Sequence, residues 1–208
     1  KRGKNKPPLP DRFSIGPTGP VATKGIRAAI YRVAEDVLAG RTSYPGVMSV
    51  LNKAAPRITG KAAGMAIIQG DDLQAGTIQA VSNLDGSHLF IQGPPGAGKT
   101  HTSAHTIVEL LRLGKKVGVA ANSHKAIHNL LEKIEEVAEE KGMRFSGVKK
   151  CSAGNEESAF DGRNIKSEAD TKNISLSAQL LAGTAWLFSD ERFDQHLDYL
   201  FIDEAGQV

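Results

Sequence analysis

The feature that most constrains this chain is the run Gly93-Pro94-Pro95-Gly96-Ala97-Gly98-Lys99-Thr100, a full match to G-x-x-x-x-G-K-[ST]. Such a loop has little side-chain bulk, so its backbone N–H groups can wrap around a phosphate. The helix that follows points its positive end to the same place. Its flanks fit that geometry: the apolar run 88–92 (HLFIQ) reads as a buried strand, and 100–113 as an amphipathic helix with Ile107, Val108, Leu110 and Leu111 facing a sheet. The motif therefore predicts a strand–loop–helix unit that binds a nucleotide. Lys99 is the candidate for the β- and γ-phosphates, and Thr100 the candidate ligand for Mg²⁺.

The pattern continues downstream as short apolar runs alternating with helical periodicity. Residues 116–121 and 179–185 read as strands, 125–140 as a helix whose outer face carries Glu132, Glu135, Glu136, Glu139 and Glu140, and 199–202 (YLFI) as a further strand. Strand–helix alternation with short connections predicts an α/β fold, a parallel sheet covered by helices on both faces. Asp203 and Glu204 end the last apolar run, at the carboxyl end of a strand, where open α/β sheets bind ligands. Asp203 is the candidate for magnesium and Glu204 for polarising the attacking water.

Upstream, residues 1–20 are rich in Pro, Gly and charge and read as a linker. Residues 21–39 predict a helix stopped by Gly40, and 47–55 a second one closed by Pro56, with an extended stretch at 65–69. Residues 71–84 predict a further helix. The expected organisation is thus a linker (1–20), a helical segment (21–70) and the nucleotide-binding domain (71–208), interrupted by a polar surface insertion at 144–175. Residues 1–70 hold 12 Lys and Arg against 3 Asp and Glu, whereas 71–208 hold 14 against 20. A basic front on an acidic body suits a nucleic-acid-facing arm, a linker or a solvated surface.

Other function classes fare worse. No apolar run approaches the roughly 18–20 residues of a membrane span, and the basic start has no apolar stretch behind it to make a secretory signal. The lone Cys151 leaves no internal disulfide and fits a reducing, cytoplasmic setting. His101 with His105, and His124 with His128, have metal-ligand spacing but no evident third ligand. Trp186 could stack on a base, but an isolated Trp beside a strand reads more readily as core. The chain starts with Lys and stops soon after the acidic pair, so both ends read as cut from a longer polypeptide.

Taken together, residues 89–102 (LFIQGPPGAGKTHT), 117–130 (VGVAANSHKAIHNL), 183–186 (GTAW) and 201–207 (FIDEAGQ) resemble superfamily 1 helicases, in the branch whose second motif reads D-E-A-x-Q. The resemblance implies a RecA-like ATP-binding domain using ATP and Mg²⁺. It implies that Gln79 recognises adenine, that His101 lies with the nucleotide-binding set, and that Gln207 links nucleotide state to the rest of the motor. It also implies contact with single-stranded nucleic acid, DNA ahead of RNA, through Asn122, Ser123, His124 and Thr184. The wording NSHKAI is similar to a bacterial group that joins a RecB-like nuclease to such a helicase. The family works with a second RecA-like domain supplying an arginine finger, so these 208 residues alone are expected to hydrolyse ATP very slowly. The alternative is a P-loop ATPase of a protein-remodelling motor with no nucleic-acid substrate.

Overall fold

The computed structural model describes Arg12 and residues 22–206. The linker expected at 1–20, apart from Arg12, and Gln207 lie outside the described residues. Among the described residues there are six α-helices and five strands, four of the helices preceding the first strand. The helices are α1 (Lys24–Leu38), α2 (Pro45–Leu51), α3 (Leu73–Ser82), α4 (Lys99–Arg112), α5 (His124–Glu140) and α6 (Ala185–Phe188), and the strands are β1 (Val117–Ala120), β2 (Gly147–Lys150), β3 (Ile165–Glu168), β4 (Leu180–Gly183) and β5 (Tyr199–Ile202). The strands form one sheet in the order β3-β2-β4-β1-β5, every pairing parallel. This is the expected α/β, RecA-like arrangement.

The central strands β1 and β4 are buried along their whole length, because helices cover both faces of a parallel sheet. On one face Ile107, Val108 and Leu111 of α4 and Ile127, Leu130, Leu131 and Ile134 of α5 pack on Val117, Val119, Leu180 and Ala182. On the other, Leu187 of α6 joins Ile174, Leu181 and Phe193 in a smaller cluster. Period-two alternation in β4 sends Leu181 to that second face and its neighbours to the first. At Gly118 an added Cβ would come within 2.5 Å of Leu197, so only glycine lets that segment close on β1.

Helix starts follow local chemistry. Asp72 caps α3 by accepting from the Ala75 N–H at 2.9 Å, and Ser123 caps α5 by accepting from that of Ala126 at 3.1 Å. The front helices fasten to the body through tertiary bonds. Arg32 donates to the Ser189 carbonyl at 3.2 Å, Tyr44 to the Asp194 carboxylate at 2.9 Å, and Ser49 pairs with His88 Nδ1 at 2.9 Å.

Four expectations are corrected. Residues 88–92 pair with no strand; Leu89 packs on the core, but Phe90 is 73% exposed. A strand needs a hydrogen-bonded neighbour, and among the described residues β5, an edge of the sheet, pairs only with β1. The segment 144–175 is not a surface insertion alone, because it supplies β2 and β3 to the sheet and buries Phe145 and Ile165. The second helix ends at Leu51 rather than 55. There Lys53 turns left-handed (φ 52°), and the Lys53 and Ala54 N–H groups close on the Val50 and Ser49 carbonyls, a Schellman ending. Residues 65–69 are irregular, not extended.

The glutamate face of α5 is only partly a solvated face. Glu135 accepts from the Asn164 N–H (2.8 Å), the Asn164 side-chain amide (2.6 Å) and the Ile165 N–H (3.1 Å), and so pins the start of β3. Glu135→Ala strips a charged acceptor from three donors, a loss of about 2 kcal/mol. For a chain of this size the thermal midpoint is expected to fall by roughly 4–8 °C; a melt by circular dichroism checks this, and an unchanged midpoint would refute the tether.

Candidate nucleotide and strand-binding site

The glycine loop lies at the carboxyl edge of the sheet. Helix α4 runs back to β1 through the short turn 113–116, so it is antiparallel to the strands and its first residue lies about 20 Å from its last. The N-terminus of α4 is therefore at the end of the sheet where β5 delivers Asp203. Gly96 and Gly98 have φ of 80° and 79°, a left-handed backbone that residues with a Cβ adopt with strain. Neither would meet any atom within 4 Å if a Cβ were added, so backbone conformation, together with the open space needed for a ligand, is what calls for glycine.

Lys99, the first residue of α4, folds back over the loop. Its ammonium donates to the carbonyls of Gly93 at 2.7 Å and Pro94 at 2.9 Å. Thr100 follows on the exposed first turn, as does His101. Pro94, Pro95 and Ala97 form the exposed crest, with the Ala97 N–H closing on the Pro94 carbonyl at 3.2 Å. At the end of β5 the Asp203 N–H bonds the Ala120 carbonyl at 2.8 Å, which extends the β1–β5 pairing by one residue. Glu204 then takes a left-handed φ of 54°, and its N–H bonds the Asp203 carboxylate at 3.0 Å. A glutamate held there costs of order 1 kcal/mol, a strain that collects at functional sites.

Gln79 is exposed on α3, and its main-chain carbonyl accepts from Asn83. Asn122 and Ser123 form the turn between β1 and α5; both are exposed, with Ser123 serving as the cap. His124 opens α5, half-buried, its Nδ1 3.0 Å from the Lys149 ammonium. Thr184 directly precedes α6. The tertiary structure brings His124 and Thr184 to one groove of about 340 Å³, lined also by Lys150, Cys151, Ser152, Thr171 and Trp186.

Several of these lining residues are not legible in the sequence. Trp186 is not core: it is 49% exposed and donates its indole N–H to the Ala22 carbonyl at 2.8 Å. Lys150, Ser152 and Thr171 come from the segment that reads as an insertion, and their position depends on β2 and β3 joining the sheet. The only signal is the short alternating pattern of residues 147–150, too brief to separate from a loop. Among the described residues no cluster of three His, Cys, Asp or Glu could hold a metal ion, and no helix is long and apolar enough to cross a membrane.

A parallel sheet with a G-x-x-x-x-G-K-T loop at a helix N-terminus and an acidic pair closing a strand at the same edge defines a P-loop nucleotide-binding domain. The chain belongs to the AAA domain family, which matches residues 69–180, and it is an AAA-type domain of the superfamily 1 helicase kind. It is 31% identical over 125 residues to the DNA replication ATP-dependent helicase/nuclease JHS1 of Arabidopsis thaliana, a match covering 58% of this chain and 9% of that protein. It is 28% identical over 124 residues to the DNA replication ATP-dependent helicase/nuclease DNA2 of Saccharomyces cerevisiae, covering 58% and 8%. It is 45% identical over 65 residues to the regulator of nonsense transcripts 1 homolog of Drosophila melanogaster, covering 30% and 6%. The chain thus spans less than a tenth of the length of each of these relatives. Membership of the AAA-type family implies the use of ATP.

Proposed function

We propose that this chain is the ATP-binding half of an ATP-dependent DNA or RNA helicase or translocase, which hydrolyses ATP to move along a single strand. One observation carries the reading: the glycine loop and the Asp203–Glu204 pair share the carboxyl edge of the sheet, and the groove of His124 and Thr184 opens at the carboxyl ends of β1, β2 and β4. Nucleotide chemistry and strand contact are then built on neighbouring strands. The names of the three relatives support it, and two of them name DNA replication, which favours DNA over RNA.

In this reading the loop from Gly93 to Gly98 cradles the phosphates with its N–H groups. Lys99 exchanges its two carbonyl partners for the β- and γ-phosphates. Gln79 and His101 flank the nucleotide, and Gln207 senses it. Thr100 and Asp203 hold Mg²⁺, which when bound neutralises the phosphate charge. Glu204 orients the attacking water. Asn122, Ser123, His124 and Thr184 touch the strand. The arginine finger comes from a second RecA-like domain of the same polypeptide, and a RecB-like nuclease module belongs to the same proposal. The lone Cys151 fits a cytoplasmic setting.

The test is ATP hydrolysis by the intact polypeptide with and without single-stranded DNA and RNA. Stimulation of at least about tenfold by one of them is expected, since a strand-coupled motor gates turnover on its track. Turnover indifferent to both would replace this reading with a protein-remodelling ATPase built on the same nucleotide site.

A further inference from the structure

Lys149 is the largest charged side chain in the interior, with 0% of its surface exposed. A buried ammonium is costly unless every N–H finds an acceptor. Here all three do: His124 Nδ1 at 3.0 Å, the Lys150 carbonyl at 2.8 Å and the Ser158 carbonyl at 3.1 Å. Three acceptors exhaust the donors of an ammonium. None of them is a carboxylate, and among the described residues no acid lies within ion-pair distance of it. The cation is hydrogen-bonded but not neutralised.

Its partners belong to three different pieces of the chain. His124 opens α5, whose N-terminal end is itself positive. Lys150 ends β2. Ser158 organises the loop after it, accepting from the Ser152 N–H at 2.8 Å and donating to the Asn155 carbonyl at 2.7 Å. Since an ammonium can only donate, His124 Nδ1 must accept, which leaves the imidazole neutral with its proton on Nε2. Burial and then the charge of Lys149 hold His124 below the ordinary histidine range, consistent with that tautomer. His124 borders two clefts, the groove shared with Thr184 and Trp186 and a second one of about 370 Å³ lined by His128, Asn129 and Asn155.

We propose that Lys149 is a positioning residue for strand binding: it fixes His124 as an Nε2–H donor at the groove and supplies an uncompensated positive charge that the phosphodiester backbone neutralises. The inference rests on the nucleic-acid reading above. Burial pushes the Lys149 ammonium down to about 8, so its charge is lost at moderately alkaline pH. The ionisable groups around it are His124 and His128 on α5 and Lys150 and Cys151 at the end of β2, with Glu157 on the covering loop. Binding a phosphate favours the charged form, so affinity is full below about 8 and falls as pH rises through that value. Folding moves the other way. The unfolded chain holds this proton more tightly than the folded one, so the stability tied to Lys149 rises with pH over the same window.

The experiment is the binding of a fluorescein-labelled single-stranded oligothymidylate to the intact protein, followed by anisotropy from about pH 7 to about pH 9.5. Wild-type affinity is expected to fall on the order of tenfold across that range, the loss of one buried positive charge close to the strand. Lys149→Arg, charged throughout, should hold its affinity. Lys149→Met, with a melt to verify folding, should bind about as the wild type does at the alkaline end, whatever the pH. Cys151→Ser removes a side chain whose charge helps Lys149 keep its proton, so its affinity should still fall with pH, with the fall displaced to lower pH. A wild-type profile parallel to that of Lys149→Met, or flat where that variant misfolds, overturns the proposal and leaves strand binding standing. Failure of the wild type to bind at any pH removes the nucleic-acid reading and this inference with it.

Discussion

Lys99→Ala is expected to lower ATP turnover of the intact polypeptide by at least about 10²–10³-fold while leaving the fold in place. The ammonium already rests on the loop, donating to the Gly93 and Pro94 carbonyls at 2.7 and 2.9 Å. A phosphate entering the loop meets a cation that changes partners without a large movement. Alanine leaves the backbone N–H groups to hold the phosphates, but removes the lysine cation's share in offsetting the charge that develops on the γ-phosphoryl group as its bond breaks. The structural cost is small, because α4 is anchored by Ala104, Ile107, Val108, Leu110 and Leu111 on the core, well beyond its first turn. The check pairs steady-state hydrolysis with a thermal melt. Turnover near the wild-type rate would show that this loop is not where ATP reacts.

Glu204→Gln should separate binding from chemistry. Glutamine has nearly the same shape, so the left-handed φ of 54° and the N–H bond to the Asp203 carboxylate are kept on the main chain. What changes is the loss of a base able to polarise water, for which about 10²–10⁴-fold slower hydrolysis is expected. Affinity for a fluorescent ATP analogue should stay within about twofold, because glutamine removes no phosphate contact. A variant that no longer binds the analogue would assign Glu204 to holding the nucleotide instead.

The parts of this protein legible in the sequence are those whose cause is local. The α5 helix is written in the spacing of Ile127, Leu130, Leu131, Ile134 and Val137 and in the Ser123 cap, and it begins one residue from the predicted start. The glycine loop is a contiguous string whose conformation follows from Gly96 and Gly98, so its position is evident without any partner. The acidic pair is legible for a related reason, since an apolar run that stops at two carboxylates must leave the sheet there.

The elements that the sequence disguises share the opposite property. Residues 88–92 have a strand's composition, yet strand formation is settled by pairing, which no window of sequence contains. Residues 147–150 do not read as a strand because two of the four are lysines, and a lysine speaks for the surface unless the fold surrounds it with acceptors, here from α5, its own strand and the loop after it. The size of Trp186 points to the core, whereas α6 turns it to the rim of the groove, tied to Ala22.

By itself, then, the sequence determined the class of fold, the nucleotide loop and the acidic strand end, because glycine conformation, helix periodicity and capping act over a few residues. Only the tertiary structure decided which strands entered the sheet, that Lys149 would lie buried against His124, and that His124, Lys150, Thr184 and Trp186 would share one groove. Those outcomes depend on hydrogen bonds and burial between residues as far apart in sequence as Ala22 and Trp186, energies that exist only once the chain has closed on itself.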